Sequence, residues 1–352
     1  MCNIAGYTGF RNAAPVLIDM MRREEGFYGG YYTGIVTLHE GKLYSAKVLG
    51  DLQTLIDKTD ALRLPGKCGL IHSRTPSGGN REWAYPFLSC DRKIGFVENG
   101  SLGKYTTPGE FAAAAVALDA LGHTMTSATG QDIPKYPHLP SGISVHYSDI
   151  QCHLLEEAGK NGLNPAEAMR KMMNDYPCDD VCVSLHADHP GELVVGRYTR
   201  PMLLGRGRDE QYIATTPTAL PDAGLDGTDL LPANAVSVIR PADTLSAGPI
   251  RKELHIEPIG ICDKIRAYKL IHQFIAEEGE TAFPPIFRKC RSLYPEGTLS
   301  QYGAIAYEVL DACLRDGSVK HKQIRVPGMD PGTEAPEERF FPDPDGADKW
   351  NF

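Results

Sequence analysis

Short apolar runs dominate the first hundred residues, with one helical pattern among them. Residues 2–6 are small and apolar, and residues 13–21 then place Val16, Leu17, Met20 and Met21 at helical spacing before a Gly/Tyr-rich turn over 26–34. Residues 34–38 and 42–48 read as a hairpin through Glu40-Gly41, and 68–73 and 93–97 as further buried strands. Helices are expected at 109–121, 151–160 and 164–175. The first two flank a stretch from 124 to 147 with no clear period, long enough for a lid or binding loop. Short runs at 181–184, 193–196, 202–204, 211–215, 235–239 and 243–246, separated by Gly, Pro and Asp, predict a second set of strands. Beyond 257 the period becomes helical: Ile261, Ile265, Tyr268, Ile271 and Ile275 share one face, and Tyr302, Ile305, Val309 and Ala312 another. The expected organisation is therefore a body over 2–257, a helical appendage over 258–326 and a tail over 327–352. The tail holds five prolines and seven acidic residues against Arg339 and Lys349, and is expected to lie on the surface or be disordered.

Charge and length narrow the partners. The 352 residues can bury a sizeable core, and a net charge of -9 with no basic stripe excludes nucleic acid as the main partner. The longest apolar run, 111–118, is eight residues, where a membrane span needs about 20. Near the start, Arg11, Asp19 and Arg22-Arg23-Glu24-Glu25 interrupt any signal core, so the chain is expected in the cytoplasm. Nine scattered cysteines without a CxxC read as reduced thiols.

Cys2 stands out chemically. Removal of Met1 would leave one residue bearing both a thiol and a free α-amine, groups that titrate near 8.5 and 7.7–8.0 and can share a proton at neutral pH. Taken alone, a buried strand cysteine is the simpler reading. The context reverses it. Met1-Cys2-Asn3-Ile4-Ala5-Gly6-Tyr7, Gly69-Leu70-Ile71-His72-Ser73-Arg74 and Phe96-Val97-Glu98-Asn99-Gly100 resemble, in order and spacing, the class II glutamine amidotransferases, best the glucosamine-6-phosphate synthase branch. The resemblance covers roughly the first 255 residues and takes in residues 41–52, Ala84-Tyr85-Pro86-Phe87 and 191–220.

That resemblance implies an α+β, four-layer α/β/β/α sandwich of the N-terminal nucleophile hydrolase type. It also implies that the side-chain amide of L-glutamine is hydrolysed through a Cys2 thioester. Arg74 corresponds to the family's arginine, a bidentate clamp for the α-carboxylate, and the adjacent Ser73 and Thr75 are expected to contact substrate. Asn99 and the Gly100 N–H correspond to the oxyanion hole; by themselves they would read as a tight turn. For the α-ammonium, an ungapped match anchored on His153 puts Tyr147 at the family's aspartate and Asp149 at a later glutamate. With a gap in the adjoining loop Asp149 becomes the expected partner, against a plain helix N-cap.

Departures from the pattern bear on substrate choice. Tyr28-Gly29-Gly30-Tyr31-Tyr32-Thr33-Gly34 lacks the family's arginine and aspartate, and Thr75-Pro76-Ser77-Gly78 lacks its tryptophan and second histidine. Only about 95 residues follow the matched region, too few for the sugar-phosphate isomerase pair that uses the ammonia in that branch. A synthase acting in trans, or a free-standing amidohydrolase, is therefore expected. Two further readings stay open: an amidase for another γ-glutamyl compound, and a non-catalytic amino-acid-sensing or scaffold module. No cofactor and no metal are expected, because Cys178-Asp179-Asp180-Val181-Cys182 and His186-Ala187-Asp188-His189 meet no ligand spacing and no phosphate-binding motif occurs.

Overall fold

The structure is a computed structural model that describes residues 2–100, 102 and 105–343. In chain order the elements are β1 (Asn3–Thr8), α1 (Ala13–Tyr28), β2 (Tyr32–His39), β3 (Lys42–Leu49), α2 (Leu52–Lys58), β4 (Cys68–Arg74), β5 (Phe87–Leu88), β6 (Ile94–Asn99), α3 (Pro108–Ala120), α4 (Tyr147–Lys160), α5 (Pro165–Asp175), β7 (Val181–His186), β8 (Leu193–Arg197), β9 (Leu203–Gly207), β10 (Glu210–Ala214), β11 (Leu225–Leu230), β12 (Ala235–Ile239), β13 (Thr244–Pro249), α6 (Ile261–Glu278), β14 (Thr281–Ala282), α7 (Phe283–Arg291), α8 (Tyr302–Asp316), β15 (Val319–Pro327) and β16 (Glu334–Pro342).

Two antiparallel sheets stack at the centre. One has the order β11-β9-β10-β1-β4-β2-β3, the other β13-β12-β8-β7-β6-β5. The inner strands β1, β4, β6, β7 and β8 are buried along their whole length because both faces are covered, whereas the outer strands β3, β11 and β13 are largely exposed or half-buried. Ile4, Val36, Leu70 and Ile213 pack with Phe96 and Val194 in one core, while the alternate residues Ala5, Tyr7, Ile35 and Ile71 pack with Leu17 and Met21 of α1 in another. Helices α1 and α2 cover the first sheet, α4 and α5 the second, with α3 against α4. This is the four-layer α/β/β/α sandwich that the resemblance implies. Helix starts follow local chemistry: Thr107 with Glu110, and Asn164 with Glu167, form reciprocal capping pairs ahead of a first-turn proline.

Beyond residue 257 the helices α6 and α8 form where expected, with the unanticipated α7 between them, but β15 breaks the expected helical segment and the expected tail does not hold over 327–343. Glu334–Pro342 is the middle strand of a sheet ordered β14-β16-β15. Ion pairs tie it to its neighbours alongside the buried Phe340 and Ala335. Arg325 on β15 bridges Glu334 and also reaches Asp51, His321 pairs with Glu338, and Lys322 with Glu280. Pro336 can occupy the middle strand because β14 pairs only with Arg339 and Phe340. Residues 344–352 of that expected tail lie outside the described residues. The predicted helix faces shift as well: Ala267, Ile271 and Ile275 are buried on α6 while Ile261 is exposed, and on α8 Ala312 is exposed.

Candidate active site

Cys2 opens the strand at the middle of the first sheet, and its backbone is locked to the end of β6 in the second. The Cys2 N–H donates to Asn99 Oδ1 at 2.8 Å, and Asn99 Nδ2 donates back to the Cys2 carbonyl at 2.7 Å. One amide side chain thus bridges the two sheets at the thiol. Its Nδ2 carries a second hydrogen beyond the one given to Cys2. The half-buried Cys2 Sγ lies 3.8 Å from Thr75 Oγ1. Gly100 follows directly, and a Cβ there would stand 2.4 Å from both Asp180 Cβ and Glu98 Oε1, so only glycine fits between the two acids.

Arg74 ends β4. Strand alternation sends Ser73 to one face and His72 and Arg74 to the other. The guanidinium is buried, donates to the Trp83 carbonyl and the Tyr136 hydroxyl at 3.1 Å each, and lies 4.8 Å from the centre of the Tyr32 ring. No carboxylate pairs with it among the described residues, so a buried cation without an anion waits beside Cys2. Its surroundings come from two loops. Trp83 Nε1 donates to the Ser127 carbonyl at 2.7 Å, and the Trp83 and Tyr136 rings meet at 4.4 Å. The 124–147 stretch is therefore part of the wall around Arg74. Gly34 admits the other loop: a Cβ there would lie 2.0 Å from the Tyr85 carbonyl.

Two expected substrate contacts are placed elsewhere. Ser73 Oγ donates to Glu25 Oε1 at 2.8 Å and accepts from the Gly30 N–H at 2.7 Å, so it holds the 28–34 turn. Asp149, in the first turn of α4, accepts from the Ser127 N–H at 2.7 Å and faces His153 Nε2 at 3.5 Å. Both of its oxygens also receive the Thr126 hydroxyl. Asp149 is thus a brace for the long loop. It does not join Cys2, Asn99 and Arg74 through any of these contacts.

A second network was not anticipated. Glu98 Oε2 accepts from the hydroxyls of Tyr85, Tyr147 and Ser148 at 2.9, 2.9 and 3.0 Å, while Oε1 has no partner among the described residues. Burial raises the Glu98 carboxyl, and burial together with the Glu98 charge pushes Asp180 well above the carboxylate range. The signal was present in the sequence, since Tyr147 stands where the ungapped match puts an aspartate. His72 is an ordinary core histidine: burial holds it at about 3, and its Nε2 lies 3.0 Å from the Glu98 carbonyl.

No family model matches the chain. Over 225 residues it is 31% identical to the glutamine–fructose-6-phosphate aminotransferase (isomerizing) of Thermosynechococcus vestitus, covering 63% of this chain and 32% of that protein. Proteins of the same name from Pyrococcus horikoshii (30% over 218 residues, 61% and 32%) and Thermus thermophilus (32% over 223 residues, 62% and 32%) match alike. The fold is that of the glutamine phosphoribosylpyrophosphate amidotransferase of Bacillus subtilis, at a TM-score of 0.59, 15% identity, 88% of this chain and 64% of that one. The chain carries a class II glutamine amidotransferase domain.

This amidotransferase domain spans about a third of the length of the curated relatives it matches. No described helix is long and apolar enough to cross a membrane. The cysteines and histidines at 178–189 do not converge. Cys182 bonds Asp180, and Ser184 Oγ lies 2.9 Å from His186 Nε2.

Proposed function

We propose that the amidotransferase domain hydrolyses the side-chain amide of L-glutamine to glutamate and ammonia, with Cys2 as nucleophile once Met1 has been removed. The reciprocal Cys2–Asn99 hydrogen bonds carry the reading. Met1 itself lies outside the described residues. With Met1 gone, the nitrogen that donates to Asn99 Oδ1 is an amine held by one hydrogen, leaving its lone pair for the thiol proton. Sγ then bonds the amide carbon, and the developing oxyanion is met by the free Nδ2 hydrogen of Asn99 and the Gly100 N–H. Collapse breaks the C–N bond; the proton held on the amine goes to the leaving nitrogen, and ammonia departs from a thioester. Water, giving its proton to the same amine, cleaves that thioester to glutamate and restores the thiol.

Substrate orientation falls to Arg74, whose buried fork lacks an anion until an α-carboxylate arrives. Thr75 borders the thiol. The ammonia leaves to solvent or passes to an acceptor-activating partner in trans.

Glutamate release from L-glutamine tests this, with Met1 removal verified by intact mass and Cys2→Ala as control. Turnover that vanishes in Cys2→Ala supports the reading. Fully trimmed protein that releases no glutamate overturns it, and release from other γ-glutamyl amides alone moves the substrate to that class.

A further inference from the structure

Away from Cys2, four side chains with metal-binding atoms converge: Cys90 from the turn between β5 and β6, His123 just past α3, and His153 and Glu156 one turn apart on α4. His123 Nδ1 and His153 Nδ1 face one another at 3.3 Å, and Glu156 Oε2 lies 3.3 and 3.2 Å from them. Cys90 Sγ is 3.7 Å from His153 Nδ1. Zinc bonds of 2.0–2.3 Å at tetrahedral angles give ligand-to-ligand edges of roughly 3.3–3.6 Å. Four of the six spacings are close to the edges of that tetrahedron, and all four donor atoms lie within 4.8 Å of one another.

The outer contacts sort the protons. His123 Nε2 faces Glu157 Oε2 at 3.2 Å and His153 Nε2 faces Asp149 Oδ1 at 3.5 Å. The carboxylate beside His123 Nε2, which Lys160 Nζ also approaches at 3.5 Å, and the one facing His153 Nε2 favour Nε2–H tautomers; in that form both Nδ1 lone pairs face the centre, the usual second layer of a histidine–metal site. The Cys90 N–H donates to Glu156 Oε2 at 2.8 Å, Lys160 holds Glu156 Oε1 at 2.9 Å, and the Thr124 N–H points at Cys90 Sγ from 3.3 Å. Two lone pairs, a carboxylate and a sulfur directed at one point repel unless a proton or a metal cation sits among them. One divalent ion cancels the charges of a thiolate and a carboxylate there. His123, His153 and Glu156 are buried and Cys90 is exposed, which gives the ion a way in.

We propose that Cys90, His123, His153 and Glu156 bind one structural zinc ion. The mixed S, N, N, O donor set suits zinc, and four protein ligands leave no open position. Such an ion would tie the β5–β6 turn and helix α4 to the start of the 124–147 loop. Through Asp149 it reaches Ser127, the residue that receives Trp83. The site is independent of the proposed glutamine chemistry.

The test is metal analysis of untagged full-length protein, incubated with zinc alone and desalted, for wild type, Cys2→Ala and Cys90→Ser/His123→Gln. About one zinc per chain in the first two and below about a tenth in the double variant is the expected result. Folding of the double variant is followed by far-UV circular dichroism. Wild type refilled with cobalt should show tetrahedral d–d bands and a thiolate charge-transfer band, a readout that needs no variant. Substoichiometric zinc in wild type, a folded double variant that retains it, or cobalt without the charge-transfer band overturns the proposal.

Discussion

At the scale of single residues, the proposed mechanism divides the work between transition state and ground state, giving the first to Asn99 and the second to Arg74. Removing one preset oxyanion donor costs about 10²–10³ in kcat, so Asn99→Ala should lower kcat by that order, read by steady-state glutamate release. Arg74→Lys keeps the charge and loses the fork, and one charge-assisted bond contributes about 1.5–3 kcal/mol. It should therefore raise KM for glutamine about ten- to hundredfold with a smaller change in kcat. Motif order alone pointed to Cys2, Arg74, Asn99 and Gly100. Ser73, expected beside them, bonds Glu25 and the Gly30 N–H instead of facing Cys2, because a match gives a position but not a face and successive strand residues point to opposite sides. Asp149 shows a related limit: the first turn of a helix offers a carboxylate both to loop N–H groups and to a ligand, and here the Ser127 N–H of the loop bonds it. The proposed zinc ligands are separated by 33, 30 and 3 positions in the sequence. Only the His153–Glu156 pair, on one helix face, is a local signal.

At the scale of elements, Glu25 joins α1, the 28–34 turn, β4 and α2. Its Oε1 accepts from Ser73, Thr33 and the Leu52 N–H. Burial, opposed by the Ser73 hydroxyl, raises its carboxyl from 4.5 to about 7. The folded state then holds that proton more tightly than the unfolded chain does. This contribution to stability is complete below pH 4.5 and is lost as pH rises to about 7. Glu25→Gln keeps the acceptor and should flatten that part of the stability profile, measured as urea midpoints across the range. Elements with a plain hydropathy period were readable: β1 to β4, α3 and α5 lie within a few residues of expectation. β15 and β16 were not, because their pairing matches cations to acids across strands and leaves few alternating apolar positions.

At the scale of the whole molecule, the C-terminal helices and their sheet close over the end of α1. Phe340 is fully buried, 5.4 Å from Phe27 and 6.5 Å from Phe283 between ring centres. Phe340→Ala should cost about 3–5 kcal/mol and loosen the turn at Gly30, which packs on Pro336; denaturant unfolding and hydrogen exchange check the two effects. Sheet order adds a constraint of another kind. Strand β1 lies between β4 and β10, and β10 is completed only at Ala214. On a ribosome adding about 5–20 residues per second, the first strand waits roughly 10–40 s for its second neighbour. During that interval the start of the chain is not yet fixed in a sheet interior, and an aminopeptidase can reach Met1. The order of synthesis thus gives the proposed removal of Met1 an interval that ends as the sheet closes.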